Sequence, residues 1–283
     1  MAARIGVVAA VVALFVTAAQ QPGHAQDSGS ASSLAIHLVP YIWLPTIDTT
    51  VKYPVLGGGT ATTTTSTGPG DYIPKLHFAT MLAGEIDYDR FSLATDIIYL
   101  SLGASSARLR SFDFGTVHVP IDRDIGVSLQ STIWTVAGGY TVASGNWGNV
   151  DVLAGYRMLA VNETTDFSLA AVITRPDGSV ALGRSGQLSA GRTIWNGIGG
   201  IRGRFYLGDA DWFGGGRFYL PFYFDVGGGG SHPTWQAFGG IGYQTRLLGL
   251  TLGYRYLSFQ QGGSAIIQKL ALGGPIIVAD FRF

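Results

Sequence analysis

Apolar and polar residues alternate along about ten segments of the chain, and glycine, asparagine or aspartate bounds most of these segments. A repeat of two residues is that of a β-strand, whose successive side chains point to opposite faces. Helical periodicity is absent from all of them. The pattern predicts an all-β protein with strands near residues 34–47, 76–88, 91–103, 127–143, 149–162, 191–207, 213–228, 233–246, 249–261 and 267–283.

Charged residues fall on one face of the segments that alternate most clearly. In GGIRGRFY (199–206), Arg202 and Arg204 share the face opposite Phe205, and in GRFYLPFYFDV (216–226), Asp225 opposes Phe224. A charge that faces lipid at mid-depth costs roughly 2–4 kcal/mol. We therefore expect the charged face to line the lumen of a membrane barrel. The third and fourth segments do not sort cleanly into two faces.

The connections between the segments alternate in length. Long connections (48–75, 104–126 and 163–190) follow the first, third and fifth segments, and tight turns follow the second, fourth, sixth and eighth. Transmembrane barrels have short periplasmic turns, longer outer loops and an even number of strands. The expected fold is therefore a transmembrane antiparallel up-and-down β-barrel of about ten strands, with eight or twelve as alternatives.

The first 25 residues have the pattern of a secretory signal peptide. A single early charge, Arg4, precedes an apolar run over 5–19, and the small residues Gly23 and Ala25 follow at the spacing that signal peptidase reads. A membrane anchor is the alternative, but a spanning helix needs about 18 or more apolar residues. We expect residues 1–25 to be cleaved and residues 26–283 to form one barrel domain.

Composition restricts the partners and the solvent of this chain. It has 18 basic and 18 acidic residues, so its formal charge of zero gives no electrostatic reason to expect nucleic acid as a partner. It has no cysteine, which excludes disulfides. Only 13% of its residues are charged, against about 25% in a typical soluble domain. Something other than water is therefore expected to cover part of its surface.

The tryptophans cluster near the ends of the predicted strands. Four fall near the outer ends and two in predicted periplasmic turns, whereas the core of a soluble sandwich would place them mid-strand. Amphipathic rings at both membrane interfaces form such belts. The expected outer belt is Trp43, Trp134, Trp195 and Trp235, and the expected periplasmic belt is Trp147 and Trp212.

Charges on the inward faces map to the middle or periplasmic half of the strands. Opposite charges on neighbouring strands can form bidentate pairs with satisfied hydrogen bonds. We expect a packed, closed lumen, and charges lining an open pore are the alternative. Six arginines against four carboxylates would make any leak favour anions. The predicted network is Glu85, Asp87, Asp151, Arg157, Arg202, Arg204, Arg217, Arg255, Asp280 and Arg282.

Candidate chemistry is sparse. The paired carboxylates at 87–89, 122–124 and 209–211 suit a hard cation but fall at different ends of the barrel, so they are not expected to share one ion. His118 and His232 are the candidates for an active site at the outer rim, with Asp122, Asp124 and Glu163 near that rim. Neither shows the spacing of a nucleophile, a base and an orienting group. We expect no catalytic residue, no metal and no cofactor.

Five stretches carry a resemblance to known proteins: PYIWLPTID (40–48), SLATDIIYLSL (92–102), DVLAGYR (151–157), GYRYLSF (253–259) and VADFRF (278–283). They resemble a group of proteobacterial outer-membrane β-barrel proteins without established chemistry, broadly like the OmpA-type membrane domain. The resemblance covers essentially all of 26–283. It implies that Phe281 and Phe283 form a signal similar to the one that the barrel-assembly machinery recognises. The stretch GGGTATTTTSTGPG (57–70) departs from the shorter loops typical of the group.

The expected function follows from this location in the cell envelope. The first hypothesis is a structural or surface-interaction barrel in the outer membrane of a Gram-negative bacterium. The alternatives are a narrow small-solute channel and a rim enzyme, such as a lipid A modifier or protease. The expected partners are outer-membrane lipid, lipopolysaccharide and, during biogenesis, the assembly machinery. A monomer is favoured, although the sequence leaves the oligomeric state open.

Overall fold

The computed structural model describes most of the chain after residue 33. The described ranges are 34–54, 60–103, 112–114, 117–119, 122–175, 178–210, 215–229, 232–260 and 267–283. Almost all of these residues are in β-strands, so the predicted all-β class is confirmed. Within these ranges, the search for a helix of sufficient length and hydropathy to cross a membrane finds none. The predicted signal peptide lies outside the described residues and stays a prediction.

The strands follow one another in a regular meander. Their bounds are β1 (Leu34–Trp43), β2 (Thr46–Pro54), β3 (Thr60–Thr67), β4 (Leu76–Tyr88), β5 (Phe91–Leu102), β6 (Phe112–Phe114), β7 (Val117–Val119), β8 (Asp122–Gly145), β9 (Gly148–Arg175), β10 (Gly178–Ala210), β11 (Gly216–Gly229), β12 (His232–Gln244), β13 (Leu248–Gln260) and β14 (Ile267–Arg282).

Ten of these strands form a closed antiparallel barrel. The order is β1, β4, β5, β8 and then β9 to β14 in sequence, and β14 pairs with β1 to close the ring. At this seam His37 lies opposite Arg282, and Trp43 lies opposite Ile276. A ring without free edges satisfies every backbone group of its spanning part, as lipid requires. The predicted up-and-down topology and the strand number of ten are confirmed.

Each end of the barrel has its own type of connection. The end that carries the tight turns, such as the one between Tyr88 and Phe91, is called the turn end here, and both β1 and β14 have their terminal residues there. The opposite end is called the hairpin end. There β2 and β3 form a hairpin that pairs with the outer part of β14, and β9 and β10 run on together as a second hairpin.

The structure corrects the predicted long connections. The expected loop over 163–190 is wrong, because β9 and β10 remain paired up to Arg175 and Gly178. Strand residues that have left the lipid need no apolar outward face, so the alternation used to find strands fades there. The expected loop over 48–75 holds β2, β3 and a short helix, α1 (Pro69–Tyr72), followed by a 3-10 turn (Ile73–Lys75). The expected loop over 104–126 holds β6, β7 and the start of β8.

The short helix is tied to the break between β1 and β2. Tyr72 is buried, and its hydroxyl donates a hydrogen bond to the carbonyl oxygen of Pro45 at 3.0 Å. Burial raises the pKa of the Tyr72 phenol, so this hydroxyl stays protonated and keeps donating in neutral and mildly alkaline solution. The contact anchors the connection between β3 and β4 to the residues between β1 and β2.

The outer wall of the barrel is apolar and exposed. On β13, Leu250 and Leu252 are exposed while Thr251 and Arg255 between and beyond them are buried, which is the alternation expected of a strand with lipid on one side. The same pattern runs round the ring. Its exposed apolar residues include Leu38, Ile42, Leu93, Val152, Tyr156, Ile201, Phe205, Phe224, Val226, Ile241, Tyr254, Ile277 and Phe281.

The tryptophan belts are present in part. Trp134 and Trp195 are exposed and meet edge to face, with ring centroids 6.3 Å apart, on the hairpin-end side. Trp147 is exposed at a tight turn. The prediction for Trp43 is wrong, because its side chain is 1% exposed and lies inside the barrel with Tyr41. Trp235 is half-buried and stacks on Tyr256, and Trp212 lies outside the described residues.

Candidate functional site in the barrel lumen

The barrel lumen is the place where polar and charged side chains converge. Going from the turn end to the hairpin end, it contains a cavity, a layer of buried ion pairs and an apolar cluster. The strands position these layers because inward residues occur at every second position, so a strand supplies one residue to each layer in turn.

The most deeply buried pair joins Arg157 on β9 to Asp225 on β11. Two parallel hydrogen bonds connect the guanidinium and the carboxylate, at 2.9 and 2.5 Å, and Arg157 Nε also donates to Thr135 Oγ1 at 3.3 Å. Both charged side chains are fully buried. This bidentate geometry satisfies the buried charges and bridges two strands that are not direct neighbours.

A second pair crosses the lumen. Arg255 on β13 donates to Asp96 on β5 at 2.6 Å, and the same guanidinium reaches the Tyr41 hydroxyl at 3.1 Å and Gln236 Oε1 at 2.9 Å. Tyr41 in turn donates to Asp96 at 2.5 Å. The guanidinium also lies 4.9 Å from the Trp43 ring centroid, close enough for a cation–π contact. Four strands are therefore joined around one cation.

A third group of ion pairs lies nearer the turn end. Arg202 on β10 pairs with Glu85 on β4 across the lumen and with Asp151 on β9, where its Nε is 3.2 Å from the carboxylate. The same guanidinium donates to Ser92 Oγ at 2.8 Å. The Thr141 hydroxyl donates to Asp151 at 2.8 Å. The carboxylate oxygens of Glu85 and Asp151 thus largely accept hydrogen bonds from other side chains of the protein.

His37 connects the strands on either side of the seam. Its Nδ1 is 2.8 Å from Asp280 on β14, and its Nε2 is 3.4 Å from Asp87 on β4. The imidazole is buried in the barrel wall on β1. His37 therefore connects β1 to both of its neighbours in the ring, β14 and β4.

The predicted network and the observed contacts differ in several members. Arg217 pairs with Asp209 at 2.6 Å, but their side chains are 42% and 75% exposed at the turn end, outside the lumen. Arg204 donates to the neutral Gln244 at 2.9 Å. Arg282 makes no side-chain hydrogen bond to any residue of the described ranges. The other predicted members take part in the ion pairs described above: Glu85, Asp87, Asp151, Arg157, Arg202, Arg255 and Asp280.

Sequence reasoning missed three partners: His37, Asp96 and Asp225. Asp225 was already on the charged face of its segment and only needed a partner. Asp96 lies in the third segment, whose faces did not sort by pattern. With Asp96 and Asp225 added and Arg217 removed, the described lumen has six carboxylates against five arginines. The positive excess from which an anion preference was predicted is therefore absent.

An apolar plug fills the lumen beyond the ion pairs. Leu257 and Phe259 on β13 are 0% and 2% exposed, and Trp43 of β1 packs with them from the neighbouring side of the seam. The plug, as the name is used below, consists of Trp43, Ile98, Ile133, Leu159, Leu257, Phe259 and Leu272. Among the described side chains, these apolar groups occupy that level of the lumen.

A cavity of about 680 Å³ occupies the turn end of the lumen. The ion pairs of Arg202 and Arg255 border it on the inside, and Asp89 and Arg90 of a tight turn lie at its mouth. Arg204, Tyr219, Asp280 and Arg282 line one wall.

The candidate enzyme and metal residues stay without structural support. The side chains of His118, His232, Asp122, Asp124 and Glu163 lie outside the described residues. Among the side chains that are described, no group of three or more potential metal ligands occurs. The acidic pairs at 87–89 and 209–211 instead supply Asp87 and Asp209 to ion pairs.

A closed antiparallel ladder with an apolar outer wall and charges turned inward defines a transmembrane β-barrel, the class found in bacterial outer membranes. No protein-family model matches the sequence, and the search of curated proteins finds no match.

Solved structures similar to this chain are outer-membrane barrels of Gram-negative bacteria. They include the outer-membrane protease OmpT from Escherichia coli, with 9% identity, a TM-score of 0.47 and coverage of 91% of this chain and 99% of the other. The translocator domain of the autotransporter NalP from Neisseria meningitidis has 16% identity, a TM-score of 0.34 and coverage of 91% and 90%. Ail, the attachment invasion locus protein of Yersinia pestis, has 8% identity, a TM-score of 0.30 and coverage of 89% and 99%. At these values the roles of those proteins are not transferred to this chain.

Proposed function

We propose that the protein is a closed outer-membrane barrel of a Gram-negative bacterium, with a structural or surface-interaction role and no catalytic activity. The turn end faces the periplasm, and the hairpin end faces outward. The observation that carries the proposal is the obstruction beyond the turn-end cavity, where Arg255 bridges to Asp96 and the plug lies directly beyond. A barrel of ten strands is only slightly wider than one that side chains fill completely.

The hairpin end supports an interaction role. The β2–β3 hairpin extends the wall beyond β1, and its threonines face solvent, with Thr62 and Thr64 exposed. Thr50 and Thr64 join across the two strands through a hydroxyl–hydroxyl hydrogen bond of 2.9 Å. Ordered strands that carry hydroxyl groups can present a fixed surface to lipopolysaccharide or to the environment. In this proposal the protein acts as a monomer.

A narrow channel for small solutes is the second candidate, and the cavity at the turn end favours it. A solute that enters this cavity would still meet Arg255, Asp96 and the plug. Conduction would therefore require these layers to move apart. A rim enzyme has no comparable support from the described side chains.

The last residue gives a test of the proposed location. The Phe283 N–H donates to the Ile36 carbonyl at 2.9 Å, and the Ile36 N–H donates to the Phe283 carbonyl at 3.2 Å, so Phe283 extends the pairing across the seam. Phe281 and Phe283 point to the exposed side, where we propose that the assembly machinery reads them.

We expect the unmodified protein to fractionate with the outer membrane and to migrate differently on gels before and after heating. Phe283→Asp should reduce the assembled form while export continues, because this residue acts after the signal peptide has been removed. The matched control is Phe91→Asp at a tight turn, outside the terminal strand. Recovery of the unmodified protein in the soluble periplasmic fraction would contradict the location. Equal outer-membrane levels of the Phe283→Asp variant and the unmodified protein would contradict the role of the terminus.

A further inference from the structure

The turn-end cavity has the size and the polar groups of a small-molecule site. Ligand pockets usually measure about 300–1,000 Å³ and place a few polar groups so that they converge on the ligand. This cavity measures about 680 Å³ and lies in the lumen, enclosed by the barrel wall, with its mouth beside Asp89 and Arg90. The side chains of the ion pairs and of the plug do not fill this space.

Two arginines on the cavity wall have no carboxylate of the described residues within ion-pair distance, although Asp280 is near enough to interact with both electrostatically. In the described lumen Arg157, Arg202 and Arg255 each bind a carboxylate, whereas Arg204 binds only the amide oxygen of Gln244. Arg282 makes no side-chain hydrogen bond within the described ranges, and its side chain lines the cavity.

The same wall holds Arg204 in a defined position. Its guanidinium lies 5.5 Å from the Tyr219 ring centroid, and the Tyr219 hydroxyl is in turn 2.7 Å from Thr251 Oγ1. At Gly249, which has no side chain, the open Cβ position lies 3.4 Å from both Asp280 Cβ and the Tyr219 hydroxyl. A Cβ there would make only ordinary van der Waals contacts with these groups.

The nearest carboxylates are used elsewhere. Asp280 lies two residues before Arg282 on the same face of β14, and it binds His37. Glu85 is bound by Arg202, and Asp87 faces the His37 ring. These carboxylates lower the positive potential of the cavity. Even so, the guanidinium groups of Arg204 and Arg282 retain donors that no carboxylate occupies.

We propose that the turn-end cavity binds a small periplasmic solute that carries a carboxylate or phosphate group, with Arg204 and Arg282 as its ligands. The planar donor fork of arginine matches both oxyanions, and a site of low dielectric strengthens such contacts. Tyr219 positions Arg204. This site goes beyond the proposed function and does not depend on whether the lumen conducts; only its access from the periplasm rests on the orientation proposed above.

The test is isothermal titration of the purified, folded barrel in zwitterionic detergent. Inorganic phosphate and malonate are the probes, and chloride at matched ionic strength is the reference. We expect saturable binding of at least one oxyanion at millimolar or lower concentration, and no saturable heat with chloride. Arg204→Gln and Arg282→Gln should each weaken binding about tenfold or more, because each loses a charge-assisted hydrogen bond.

The matched control is Arg217→Gln, which removes the same charge from the same end of the barrel but outside the cavity. It should bind as the unmodified protein does. The absence of saturable binding by the unmodified protein would overturn the proposal, and so would equal weakening in all three glutamine variants. If Arg204→Gln fails to fold, Arg282→Gln at the end of its strand and the charge-conserving Arg204→Lys, with intermediate affinity expected, decide the result.

Discussion

Arg157→Ala should lower the free energy of unfolding of the barrel by about 3–5 kcal/mol. The substitution leaves Asp225 with its charge but without its bidentate partner, in a place where neither side chain is exposed. Water cannot replace the lost hydrogen bonds there, so the uncompensated charge accounts for most of the loss. Urea titration of the protein in lipid vesicles, followed by tryptophan fluorescence and by heat-modifiable migration, measures the change.

Two further variants test whether the loss of stability depends on the burial of the Arg157–Asp225 pair. Arg217→Ala removes an arginine whose single hydrogen bond to Asp209 is open to solvent, and it should have a much smaller effect. The double variant Arg157→Met, Asp225→Leu removes both charges at similar volume and should recover most of the stability. A loss in Arg157→Ala no larger than that in Arg217→Ala would show that the pair is not buried in the folded barrel.

Trp43→Ala should destabilise the barrel by about 3–5 kcal/mol, as is usual when a buried large aromatic is truncated. The indole is 1% exposed, packs in the plug with Leu257 and Phe259, and covers the Arg255 guanidinium. Its removal opens the plug and also takes away the ring that covers the Arg255 guanidinium, so both layers are loosened at one point. We therefore expect this variant to show conductance steps in a planar bilayer as well as a lower unfolding temperature.

The control for Trp43→Ala is Trp195→Ala, which removes an exposed indole from the outer wall. This variant should be less destabilised and should not conduct. If both variants lose the same stability and neither conducts, Trp43 is not the core of a plug.

Local patterns were sufficient to predict the barrel. The alternation in 76–88 gave the bounds of β4, because lipid on one side and a polar lumen on the other force a period of two. The alternation of inward and outward residues along β1 also predicts the correct face for Trp43. It shares odd numbering with His37 and Tyr41, which point inward, and not with Leu38 and Ile42, which are exposed. A tryptophan belt is defined by depth in the membrane and not by the face of the strand, so the belt pattern does not separate an inward tryptophan from an outward one.

The pairings could not be predicted from one sequence. Arg255 on β13 meets Asp96 on β5, with five other barrel strands between them along one direction of the ring, and only the closed shape brings them together. Arg157 likewise reaches past β10 to Asp225. The extension of β9 and β10 was missed for a different reason, since strands outside the lipid have two aqueous faces and lose the alternation.

Single-channel recording of the unmodified protein in a planar bilayer tests the closed lumen most directly. The ion pairs of Arg157 and Arg255 and the plug beyond them lie between the cavity and the hairpin end. The account predicts a silent bilayer at moderate voltage, even where heat-modifiable migration shows that folded barrel has been inserted, while Trp43→Ala on the same day gives discrete steps. A large, steady, ohmic conductance from the unmodified protein would contradict the closed lumen and make the channel the better account.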